Sequence, residues 1–201
     1  MKKYDTKRFT ILAILIAVTV VLQILATFLP IKINGTALSF TLIPIIVAAA
    51  FYGVSGGAAV GFAFGAIVFI MGLTGADAFT LWCIEYNWFF TLLATVVRTT
   101  ACGILIALIH NALANRINDK ISYYIVAVCT PVINTGIFVL LFMTMFSNSD
   151  KMLEIAESVN YTNFVAFTVL FIAGVNFLFE LATTVLLAPP VCIALKKVIR
   201  K

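Results

Sequence analysis

The sequence predicts an all-α integral membrane protein: one bundle of six transmembrane helices filling residues 1–201, with both termini in the cytoplasm. Three observations predict it. The chain is 63% hydrophobic and only 10% charged, with a mean hydropathy of +1.15, whereas soluble domains carry about a quarter charged residues. Its apolar residues fall into six separable runs, most of them long enough to cross a hydrocarbon core. Its basic residues lie almost all on one side of those runs.

Helix 1 is expected over residues 9–29, about 20 residues and long enough to span, with Pro30 as its stop. The leading MKKYDTKR resembles the basic region of a signal peptide. The apolar run after it is longer than a signal core, and no small-x-small cleavage site precedes a soluble domain, so the segment is read as a retained helix. Helix 2, residues 37–51, is short. Helix 3 covers 55–73, helix 4 covers 88–110, helix 5 covers 123–146 and helix 6 covers 163–187, stopped by Pro189-Pro190. Pro44 and Pro131 fall inside helices 2 and 5, where each removes one backbone bond and permits a kink.

Six spans place both termini on one side. That side carries Lys2, Lys3, Lys7, Arg8, Arg116, Lys120, Lys196, Lys197, Arg200 and Lys201; the other carries Lys32 and Lys151. Ten against two assigns the termini to the cytoplasm by the positive-inside rule. The opposite loops carry Asp77, Glu85, Asp150, Glu154 and Glu157. The net charge of +5 is therefore a topology signal, and nucleic acid is not an expected partner.

Two outer loops are long, 74–87 and 147–162, and long loops in a compact domain are often functional. The first holds Trp82 and Tyr86 and leads through Asn87 into Trp88, Phe89 and Phe90. These aromatics read first as an interfacial belt, and on the sharper reading as a lid over an outward-facing pocket. In helix 3, Gly57, Gly61 and Gly65 recur at four-residue spacing, a strong signal for close helix packing against a neighbour in this chain or another. Ala13-x-x-x-Ala17 is a smaller version in helix 1.

The most informative residues are two charges inside apolar spans, Arg98 and Glu180, because a charge at membrane depth persists only where it faces protein or water. Arg98 lies on a stripe with Thr91, Thr95 and Cys102. Asn134 is midway along helix 5. Asn176 and Glu180, four apart, share a face of helix 6, and Thr19, Gln23 and Thr27 share one of helix 1. Two readings stay open: interhelical glue built around an Arg98–Glu180 pair, or a ligand-lined cavity. Polar faces on helices 1, 4, 5 and 6, with almost none on 2 and 3, tilt towards the cavity. An unpaired Arg98 suits a carboxylate or phosphate.

Other classes lack equipment. Cys83, Cys102, Cys129 and Cys192 have neither paired spacing nor a histidine cluster, so no metal site or disulfide framework is expected. His110, at a span end, is expected at the surface or interface. No G-x-x-x-x-G-K-[ST], H-E-x-x-H or G-x-S-x-G occurs, and no catalytic set or cofactor is assigned.

Three stretches carry a family resemblance: Ala13-x-x-x-Ala17; LSFTLIPIIVAAAFYGVSGGAAVGFAFG, residues 38–65; and NFLFELATTVLLAPPVCIALKKVIRK, which begins at Asn176. With the six-span pattern they resemble the substrate-binding (S) component of an energy-coupling factor (ECF) vitamin transporter, over nearly the whole chain. The resemblance implies a multi-pass subunit of a bacterial-type plasma membrane. Such a subunit captures a water-soluble vitamin from outside and docks through Ala13 and Ala17 on a transmembrane coupling subunit that carries two ATPases. It implies a pocket drawn from Asp77, Trp82, Tyr86, Asn87, Trp88, Arg98, Asn134, Asn176 and Glu180. The segments ALSFTLIPI and GADAFT look most similar to pantothenate-type members, with Arg98 for the carboxylate and Glu180 orienting Arg98. Riboflavin, on Trp82, Tyr86 and Trp88, is the runner-up. A stand-alone proton-coupled carrier and a membrane assembly or scaffold protein are the alternatives.

Overall fold

The computed structural model describes residues 3–28, 32–33, 36–37, 40–114 and 116–199. Pro30, the expected stop of helix 1, and the flanking Lys2, Arg200 and Lys201 lie outside them. The elements in order are α1 (Lys3–Phe28), the paired strands β1 (Lys32–Ile33) and β2 (Thr36–Ala37), α2 (Leu42–Leu73), α3 (Ala78–Leu92), a π-helical stretch (Leu93–Val97) and α4 (Arg98–Ala114). They continue with α5 (Asp119–Phe146), α6 (Asp150–Ser158), α7 (Phe164–Ala166), a second π-helical stretch (Phe167–Gly174) and α8 (Val175–Ile199). Among the described residues, five continuous helical runs are long and apolar enough to cross a membrane.

The expected helices 2 and 3 are both present within α2, which folds back on itself at Gly53. That residue has φ 65° and ψ −152°, a conformation essentially reserved for glycine. Val60 and Phe64 consequently pack against Leu42, Ile45 and Ala48 in one buried cluster. In a straight helix residues 45 and 60 would stand about 22 Å apart. The first arm starts at Leu42 rather than near residue 37, where the chain instead forms β2.

Three other boundaries differ from expectation. The stretch 74–87 is not a loop throughout: a helix runs from Ala78, breaks at Asn87 (φ −161°, ψ 107°) and restarts. Asn87 Oδ1 accepts from the backbone N–H groups of Phe89 (3.0 Å) and Phe90 (3.1 Å), the geometry of an N-cap, so the expected start of helix 4 at Trp88 coincides with this restart. The second long loop likewise contains α6, which buries Met152 and Ala156. Finally, α8 passes through Pro189-Pro190 instead of stopping. Ala188 and Cys192, both fully buried against Val126 and Ala127 of α5, hold the helix through the two missing backbone bonds.

The helix ends sort the charges. Arg8 Nη2 donates to the Tyr52 carbonyl (2.9 Å) and Ser55 Oγ (3.0 Å) beside the Gly53 turn, and Lys196 of α8 is ion-paired with Asp119 at the start of α5. His110 belongs to the same end but is buried, not interfacial: its Nδ1 lies 3.0 Å from Ser122 Oγ and its ring stacks on Tyr123. A satisfied imidazole packs there as a flat ring, which is why a span-end histidine can be interior.

The glycine stripe of α2 packs within the chain. Gly57 faces Gly103 of α4, Gly61 faces the Thr99 carbonyl and Gly65 faces Thr95 and Val96; a Cβ added at any of them would fall well under 3.0 Å from those atoms. Thr99 Oγ1 donates to the Gly61 carbonyl across the seam (2.7 Å). Small residues permit this backbone contact, and it fixes α4 beneath Arg98.

Two apolar clusters bracket the middle of the bundle. One contains Ile46, Ile106, Tyr123, Val126 and Cys192 at the basic end. The other contains Phe142, Phe146, Phe167, Met152 and Cys83 at the opposite end. Between them lie the polar residues.

Candidate functional site

Residues spread along five helices, α1, α3, α4, α5 and α8, meet in one cavity of about 130 Å³. Arg98 enters from the first turn of α4, directly after the π-helical stretch Leu93–Val97. Asn134 enters from α5. Asn176 and Glu180 enter from the start of α8, directly after the π-helical stretch Phe167–Gly174. Gln23 enters from α1 and Asp77 from the mouth of α3. A π-turn widens the helix by one residue and re-aims the side chains beyond it, and such turns gather at functional sites. Here each of the two long ones precedes a polar residue of the cavity.

Arg98 and Glu180 do not pair. Arg98 makes no hydrogen bond or ion pair with any described residue, and its Nε is buried without a partner. Its guanidinium carbon instead lies 5.1 Å from the centroid of the Phe138 ring, a cation–π contact. Glu180, 3% exposed, accepts from Asn134 Nδ2 (3.5 Å) and Asn176 Nδ2 (3.3 Å). No hydrogen bond or salt bridge joins Glu180 to Arg98 among the described residues: two amides hold the glutamate and an aromatic face lies against the arginine.

The two threonines of the stripe are satisfied locally. Thr91 and Thr95 each donate to the carbonyl four residues earlier, so their protons are already committed. Asp77 stands at the N-cap position of α3, where its side chain accepts from Thr80 Oγ1 and not from a backbone N–H of the first turn. The apolar wall is phenylalanine: Phe64, Phe79, Phe138, Phe142 and Phe146. Phe142 is its centre, stacked on Phe79, Phe138 and Phe146 with centroids 5.7, 5.3 and 5.0 Å away.

Of the nine residues named from sequence, Asp77, Arg98, Asn134, Asn176 and Glu180 line this cavity. Trp82, Tyr86, Asn87 and Trp88 are outside its lining. Trp82 lies under Lys151 Nζ at 5.1 Å, tying α3 to α6. Tyr86 packs on Phe146, which itself lines the cavity. Asn87 caps a helix, and Trp88 is 62% exposed, pointing away from the bundle. The nine omit Gln23 and the phenylalanines. Gln23 had been placed on the polar face of helix 1 but not in the pocket, and Phe138, Phe142 and Phe146 were visible as an i, i+4, i+8 stripe.

Ala13 and Ala17 are exposed on α1, beside Ile14 (55%) and Val18 (42%). They form a shallow strip on the outside of the bundle, far from any internal packing role.

Comparison with known proteins gives one assignment. The family model described as ECF transporter, substrate-specific component, matches residues 7–192. Among curated proteins none matches the chain.

Proposed function

We infer the function from one premise: the chain belongs to the family of ECF transporter substrate-specific components. It is a substrate-binding subunit of a transporter and not an enzyme, working with a coupling subunit and ATPases. The absence of a P-loop from its sequence fits that division, since ATP chemistry sits in the partners.

The finer reading is that the subunit captures a water-soluble vitamin from outside a bacterial-type plasma membrane, at high affinity, in the cavity between Arg98 and Glu180. The single observation that carries it is an arginine with no hydrogen-bonding or ion-pair partner among the described residues, in a cavity it shares with a carboxylate held by amides. A charge left unpaired inside a bundle is costly and is a mark of function; interhelical glue would have paired the two. The same observation weakens the scaffold reading. Pantothenate is the favoured ligand, its carboxylate on Arg98, and riboflavin comes second, its ring on the phenylalanine wall. By the positive-inside rule the end bearing Arg8, Lys120 and Lys196 faces the cytoplasm, so the phenylalanine-capped end faces out. The exposed Ala13–Ala17 strip supports docking of a coupling-subunit helix there.

The test is vitamin binding by the purified protein alone, in detergent, without ATP. A rise in melting temperature with one B vitamin is expected. Absence of any shift across the B vitamins, in a folded monodisperse sample, refutes the reading. Uptake by liposomes that hold only this chain, collapsed by an uncoupler, would establish the proton-coupled carrier instead.

A further inference from the structure

The basic end of the α5–α8 seam carries a second pocket, of about 260 Å³, in which the substrate-binding reading has no part. Pockets for drug-sized ligands run from about 300 to 1,000 Å³, so this one suits an anion the size of a headgroup. Its lining brings together Lys120 from the first turn of α5 with Lys196 and Lys197 from the last turn of α8. Lys196 is ion-paired with Asp119, which leaves the other two lysines to decide the charge of the pocket. Both are exposed, and neither ammonium has an ion pair or hydrogen bond among the described residues. Two like charges held beside one pocket repel, and an anion between them turns that repulsion into attraction. The N-terminus of α5 is not what draws the anion. Asn118 Oδ1 already accepts from the Lys120 N–H (3.0 Å), and Asp119 places a negative charge in the first turn.

We propose that this pocket seats the headgroup of an anionic phospholipid from the cytoplasmic leaflet, its phosphate between Lys120 and Lys197. The faces beyond the two lysines favour a lipid over a soluble anion. Along α5, Lys120, Tyr124 and Val128 stand at four-residue spacing, and Tyr124 and Val128 are both exposed. Along α8, Lys197, Ile193, Pro190 and Leu186 share a face, and Leu186 is 69% exposed. Each lysine therefore heads a strip that turns apolar towards the middle of the span, with a tyrosine at headgroup level on α5. That is the order of charge and hydrocarbon in a phospholipid. A free phosphate would use the lysines and leave both strips without a role. Basic pockets between transmembrane helices on the cytoplasmic side are a recurrent form of acidic-lipid site. A zwitterionic lipid fits less well, because its own ammonium group meets the lysines. The seated lipid bridges α5 and α8 beside the Asp119–Lys196 pair.

Native mass spectrometry of the purified chain in detergent tests it, with dioleoylphosphatidylglycerol and dioleoylphosphatidylcholine titrated separately. The anionic lipid is expected to bind about tenfold or more tightly than the zwitterionic one. Lys120→Gln and Lys197→Gln should each weaken phosphatidylglycerol binding about fivefold, and the double variant about 25-fold. Arg116→Gln is the control. It removes the same charge from an exposed residue at the same end, but outside the pocket lining, and should stay within about twofold of the parent. All three side chains are exposed, so each variant should keep the parent melting temperature. Equal affinity for the two lipids overturns the proposal. So does a loss in Arg116→Gln as large as in Lys197→Gln, since the attraction is then diffuse surface charge. Displacement of the lipid by inorganic phosphate at equal concentration overturns it too, making the pocket a site for soluble anions. A double variant that keeps the lipid but no longer assembles with the ATPase-bearing partners assigns the lysines to a protein contact, and the lipid site falls.

Discussion

Replacing Gly57 by alanine inserts one methyl group into the tightest contact of the bundle. The Cβ would sit well under 3.0 Å from the Gly103 carbonyl oxygen and 2.9 Å from its carbon, atoms that cannot rotate away. A normal carbon–oxygen contact requires α2 and α4 to part by on the order of 1 Å locally, and overpacking of this kind costs about 1–3 kcal/mol. Against it stands the gain of alanine over glycine in a helix, about 0.5–1 kcal/mol. The net loss spans about 0–2.5 kcal/mol and centres near 1 kcal/mol, or roughly 2–4 °C in melting temperature for a chain of this size. Gly136→Ala is the internal control. It too is a helical glycine, in α5, but its added Cβ meets nothing within 4 Å. It should gain about 0.5–1 kcal/mol and melt slightly higher. Gly57→Ala with Gly103→Ala should fall short of additive, because both press on one seam that the first has already opened. The assay is thermal unfolding of the purified variants in one detergent, monitored by tryptophan fluorescence. A Gly57→Ala protein that melts at or above the parent temperature refutes the argument that this seam is a backbone-to-backbone contact.

Gly53→Ala should be destabilising by about 1–3 kcal/mol, because φ 65° with ψ −152° is strained for any residue with a Cβ even though the space is open; unchanged melting would mean the turn is not held at that conformation. Ala13→Trp and Ala17→Trp, both on the exposed strip of α1, should keep vitamin binding within about twofold and abolish ATP-driven uptake in the assembled transporter. Retained uptake counts against docking through this face.

How much was legible depends on what a property is decided by. The spans were legible because bilayer crossing is a matter of length and hydropathy, and Gly53 was legible as a gap between two apolar runs. The helix through residues 78–86 was missed because its aromatic and acidic mixture at the membrane edge lacks the unbroken apolar run of a span; its end, at Asn87, shows in sequence only as a cap. Pro189-Pro190 misled for the opposite reason: proline stops a solvated helix, but here two fully buried neighbours in α8 keep it going. The polar residues of the site were legible by type, since five of the nine named line the cavity. Their partners were not. Which groups meet depends on the rotation of each helix about its axis, and the π-helical stretches before Arg98 and Asn176 change that rotation without leaving a residue signature. The choice of aromatics failed likewise: tryptophan and tyrosine announce themselves, yet phenylalanine, with no polar atom to satisfy, is the residue that can be sealed into the wall.

The two sides of the cavity obey opposite packing rules, and this bears on how it admits a ligand. Arg98 stands on the side where α4 is pinned to the α2 glycines by backbone contact and by Thr99; little can shift there without breaking that seam. Asn134, Asn176 and Glu180 stand on the α5–α8 side. There Gly136 is unopposed, the helix before Asn176 is π-wound for eight residues, and Thr135 and Ala173 line both the cavity and an apolar groove on the outer surface. A wall of small residues with open space behind it yields at lower cost than a close-packed one. The cavity of about 130 Å³ is on the scale of one that holds a benzene ring, so a larger occupant requires expansion. The α5–α8 side is where expansion costs least. Arg98 then stands on the wall that holds its place, and Asn134, Asn176 and Glu180 on the wall that yields.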